Sequence, residues 1–83
     1  MKIVDRINKI KCADRLQELY IELKWRLSEL EEHNQMLVEL KTKNMKNREY
    51  HIELCKHKII CLHAEIEELK ELIKECLDFL RML

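Results

Sequence analysis

An 83-residue chain with no Gly, no Pro and a formal net charge of zero excludes several classes at once. Tight turns and open sheets lean on Gly and Pro, so a β-rich fold is not expected. A general nucleic-acid binder needs a basic excess, and no apolar run approaches the roughly 18–20 residues of a membrane span. What is left is a small helical protein. Charged residues make up 39% and hydrophobic residues 47%, the mixture of long helices and coiled coils. A chain this short buries only part of its surface and is marginal alone.

The N-terminus, MKIVDRINKIK, carries charges every few residues and does not read as a signal peptide. The four cysteines, Cys12, Cys55, Cys61 and Cys76, then read as free thiols in a reducing compartment. The expectation is a cytoplasmic or otherwise intracellular protein.

A first helix is predicted over about 2–41, with an irregularity allowed near 11–14. Leu16, Leu23, Leu30 and Leu37 fall seven apart and are read as d positions. Ala13, Tyr20, Leu27 and Asn34 then fill the a positions, and a lone Asn at a is a device for fixing register. The four leucines resemble a leucine zipper. The preceding NKIKCADR lacks that family's dense basic reading helix, so DNA binding is not carried over. About opposite the leucines, at about 100° per residue, project Ile3, Ile7, Ile10, Ile21 and Trp25. This second stripe is the expected partner-binding face.

Continuing the leucine frame puts Lys41, Asn44 and Arg48 in core positions, so the frame breaks there. A turn is predicted at about 42–48. Asn44 and Asn47 suit it, since Asn tolerates the left-handed conformation and also caps helices. The alternative is one continuous coiled-coil helix with a stutter near 48–52.

A second helix is predicted over about 49–83. Its a positions read Ile52, Ile59, Ile66, Ile73 and Leu80; its d positions read Cys55, Leu62, Leu69, Cys76 and Leu83. Charge favours a hairpin. Residues 1–15 carry +3, 16–40 carry −4, 41–64 carry +4 and 65–83 carry −3, so folding near Asn44 sets opposite signs side by side. The favoured register pairs Leu37 with Ile52, Asn34 with Cys55, Leu30 with Ile59 and Leu27 with Leu62. It continues with Leu23 and Ile66, Tyr20 and Leu69, Leu16 and Ile73, Ala13 and Cys76. The expected fold is therefore all-α: residues 1–83 form one antiparallel two-helix hairpin with coiled-coil packing, associating into a helical bundle.

The stretch HIELCKHKIICLH holds the residue types of a zinc or copper site. On a helix, His51 and Cys55 share one face, while His57 and Cys61 share a nearly opposite one. One face supplies at most two ligands and a structural zinc needs four, so these are weak metal candidates. Core and flank roles explain the stretch better, and no cofactor is expected. Ser28 has no base placed for it, and the His/Cys pairs lie on a helical flank without an oxyanion hole, so an enzyme is not expected.

The functional expectation is a non-catalytic protein–protein interaction or oligomerisation module, a small scaffold, adaptor or subunit. Its partners would be itself, another helical protein, or both. The alternative is a dimeric helical-hairpin RNA-binding regulator using the basic cluster Lys41, Lys43, Lys46, Arg48, Lys56 and Lys58. Tyr50 is that cluster's one stacking platform.

Overall fold

A computed structural model describes residues 3–82. The expected helix start at Lys2 and the last d position, Leu83, lie outside the described residues. Two helices account for nearly all of the rest: α1, Ile3–Thr42, and α2, Arg48–Met82. They pack against each other antiparallel, in a body measuring 64 × 15 × 14 Å. A continuous rod of 83 residues would be about 125 Å long at 1.5 Å per residue. The chain is a hairpin, and the stutter alternative is excluded. α1 also runs unbroken through residues 11–14, so no irregularity occurs there.

The turn is built by asparagine. Asn47 has φ of 61°, in the left-handed region that Asn enters at less cost than most residues. Its carbonyl accepts the His51 N–H at 3.2 Å, starting α2. On the other side, the Lys43 N–H and the Thr42 hydroxyl both donate to the Glu39 carbonyl at 3.0 Å. Arg48 reaches back to the Lys43 carbonyl at 3.4 Å. Carbonyls that the end of α1 would leave unpaired are satisfied in this way.

The core is narrow and comes mostly from α2. Ile52, Cys55, Leu62, Ile66, Leu69 and Ile73 are buried there, as the predicted a and d positions require. Ile59 is half-buried. From α1 only Leu19 is fully buried, while Leu16, Leu23, Leu30 and Leu37 are half-buried. Leu19, Leu69 and Ile73 form one cluster, with Leu16, Leu23, Leu72, Cys76 and Leu77 against it.

Half of the expected seam is displaced by one residue. The Cys12 thiol donates to the Cys76 carbonyl at 3.3 Å, and the Cys55 thiol donates to the His33 carbonyl at 3.2 Å. Leu19 packs with Leu69. Every seven residues gained along α1 are matched by seven lost along α2. The row beside the leucines that faces α2 is therefore Cys12, Leu19, Arg26, His33 and Leu40. Ala13, Tyr20, Leu27 and Asn34, expected there, are all exposed, with Tyr20 at 49% and Leu27 at 46%. Leu27 is not a member of the interhelical core, and Asn34 does not set its register. Arg26 and His33 disguised the true row. Both are half-buried; Arg26 meets Glu65 across the helices, and His33 Nδ1 bonds the Glu29 carbonyl at 2.8 Å.

Candidate functional site

The chain's uncovered apolar surface lies mainly on α1. Its α2-facing side holds the Cys12–Leu40 row and the half-buried leucines beside it, and among the described residues the other apolar side chains of the helix are exposed. Ile3, Ile7, Ile10, Ile21 and Trp25 are exposed at 75, 46, 61, 45 and 62%. Val4 adds to the N-terminal part of this face at 65%. Ile21 and Trp25, one turn apart, line a shallow groove together with Glu18 and Glu22.

A second uncovered strip flanks the leucine row. Ala13, Leu16, Tyr20 and Ile21 line one groove with Gln17 and Lys24. Further along α1, Leu27, Leu30, Asn34 and Val38 line another with Glu31 and Gln35. Of these residues, Ala13, Tyr20, Leu27 and Asn34 were expected in the intrachain core and instead lie at the surface.

The histidine and cysteine stretch divides as helix geometry requires. Cys55 is buried, its thiol committed to the His33 carbonyl. His51 is exposed, with its ring edge-on to Tyr50 at 5.7 Å between centroids. His57 Nε2 and Cys61 Sγ meet at 3.7 Å, one turn apart on the outer surface. Among the described residues, no three His, Cys, Asp or Glu side chains gather into a metal-binding group. All four cysteines are free thiols.

Cys12 is the one thiol whose acidity shifts clearly. Burial pushes its pKa up, and the Cys76 hydrogen bond and charge add to the rise. It was not singled out as a site residue. The unbroken 4-3-4 spacing Cys12, Leu16, Leu19, Leu23 is the signal that places it in the core row.

The basic cluster is partly neutralised within the chain. Lys43 pairs with Glu39 at 3.8 Å, Arg48 with Glu49 at 3.9 Å and Lys56 with Glu53 at 3.7 Å. Tyr50 is 64% exposed at the start of α2. Among the described residues, no helix is long and apolar enough to cross a membrane. No protein-family model, curated protein or solved structure matches this chain.

Proposed function

We propose that this protein is a non-catalytic interaction and oligomerisation module, which docks other helices on the uncovered face of α1. The observation that carries this reading is the exposure of Ile3, Ile7, Ile10, Ile21 and Trp25 on a helix whose other side already packs on α2. Single exposed hydrophobes are ordinary; five large ones on one helix, including the chain's only Trp, are not. Leaving them in water forgoes about 25 cal/mol per Å² of apolar area. Aromatic side chains at the centre of such a face commonly dominate binding. The thin two-helix core points the same way, because so small a body gains stability by burying more surface in an assembly.

The test compares Trp25→Glu with the parent chain. The assemblies each forms alone, and those recovered from native extract, are sized. The variant is expected to lose at least one assembly step while keeping most of its helix content by circular dichroism. An unchanged mass in both settings would remove this face from consideration. Loss of helix would instead assign Trp25 to an intramolecular core. The RNA reading would replace this one if RNA co-purified and was lost on changing Lys43 and Lys46.

A further inference from the structure

We propose that a second copy of this chain covers the flank of α1 formed by Ala13, Tyr20, Leu27 and Asn34, its own α1 running antiparallel about a twofold axis near Leu27. Three adjacent rows of α1 carry the argument. Cys12, Leu19, Arg26, His33 and Leu40 face α2. Leu16, Leu23, Leu30 and Leu37 come next and are only half-buried. Ala13, Tyr20, Leu27 and Asn34 follow and are exposed. Together the rows span about 100°, the wide stripe of a helix in a multi-helix bundle rather than the narrow seam of a two-helix pair. The hairpin uses one edge of this stripe. The other edge repeats every seven residues, the spacing at which it can pack on another helix.

Charge and polarity then select the occupant and its register. Lys24 and Glu31 lie on the outer flank of this edge and line its two grooves. Antiparallel self-pairing allows registers one heptad apart. One places Lys24 against Lys24 of the second copy, a like-charge contact. The next places Lys24 against Glu31 of the second copy, and the twofold axis makes that ion pair twice. The same register sets Leu16 against Leu37 and Leu23 against Leu30. It sets Leu27 against itself, and the Tyr20 hydroxyl against the Asn34 amide. Each polar group in the two rows thus meets another polar group, as a covered layer requires. A parallel pairing would set Lys24 beside Leu19, with no acid to meet. The other acids of the stretch, Glu18, Glu22, Glu29, Glu32 and Glu39, fall on other rows of the helix. This interface does not use Trp25, so the docking face proposed above stays open to a different protein, and the two readings stand or fall separately.

The test measures the solution mass of the whole chain and of charge-swapped variants. The parent chain is expected at twice its monomer mass. Lys24→Glu and Glu31→Lys should each raise the dimer dissociation constant roughly tenfold, because symmetry doubles the loss. Combining them should restore it. Leu27→Glu should give a monomer with its helix content intact, since Leu27 is not part of the intrachain core. A monomeric parent chain would overturn the proposal. So would a double swap that stays as weak as the single ones, or a dimer that survives Leu27→Glu and is lost in Trp25→Glu.

Discussion

The Arg26 guanidinium meets the Glu65 carboxylate at 2.8 Å, Nε to Oε2, across the two helices. Among the described residues this is the one ion pair that joins α1 to α2. Arg26 also bridges to Glu29 at 3.1 Å on its own helix. Its side chain is 39% exposed and that of Glu65 46%, so solvent screens the pair. A double-mutant cycle on Arg26 and Glu65 should give about 0.2–1 kcal/mol of coupling. Arg26 nevertheless occupies a row that otherwise faces the core. Arg26→Leu adds apolar packing in that row and leaves Glu65 in solvent, so it should raise stability by up to about 1 kcal/mol, measured by denaturant titration. A fall in stability would show that the ion pair outweighs packing here.

Leu62 is completely buried, and Leu27, expected to pack on it, is 46% exposed. Leu62→Ala should cost about 2–5 kcal/mol, the range for emptying a well-packed leucine site. Leu27→Ala should change the isolated hairpin by no more than about 0.5 kcal/mol, as for a surface site. Both are read by chemical unfolding at high dilution. Raising the protein concentration should increase the cost of Leu27→Ala alone, because Leu27 then has a partner to lose.

These residues also show what the sequence makes legible. The α2 seam could be read because its a and d positions from Ile52 to Leu80 are all Ile, Leu or Cys, so only one frame fits. The hairpin could be read because the frame fails at Lys41, Asn44 and Arg48, and Asn47 can adopt the backbone the turn needs. The α1 seam was ambiguous for a physical reason. Its four leucines belong to two overlapping stripes, and the stripe that looks more apolar beside them at Tyr20 and Leu27 is the one that faces outward. The stripe that packs contains Arg26 and His33, which periodicity counts as polar although both are half-buried there. The partner's identity is not written in spacing at all, since an uncovered face shows its chemistry and not its occupant.

Asn47 sits at φ of 61° between the helices. A β-branched residue fits this region poorly, whereas Gly enters it freely. Asn47→Val should destabilise the hairpin by about 1–2 kcal/mol, the order of the left-handed penalty for an ordinary residue. Asn47→Gly should be near neutral. Thermal unfolding followed by circular dichroism checks both. Equal losses in the two variants would mean that the Asn47 side chain, rather than its backbone angle, holds the turn.

Cys12 gives the hairpin a dependence on alkaline pH. Burial first, then the hydrogen bond and charge of Cys76, hold its thiol above the ordinary value of 9.0. The folded chain therefore keeps this proton at pH values where the unfolded chain has begun to lose it. The neutral thiol's contribution is complete below the unfolded thiol's pKa and is lost as pH rises from there through the raised folded value. Below about pH 8 the parent chain and Cys12→Ala should thus differ by a constant amount, and the gap should narrow as pH rises past the ordinary thiol range of about 8.5–9. Subtracting the two melting curves removes the lysine and tyrosine titrations that both chains share. Cys76→Ala should weaken the same slope, because it removes the Cys76 side chain, whose charge adds to the rise. A parent-minus-variant difference that stays flat to about pH 10 would show that the Cys12 thiol titrates alike in the folded and unfolded chain.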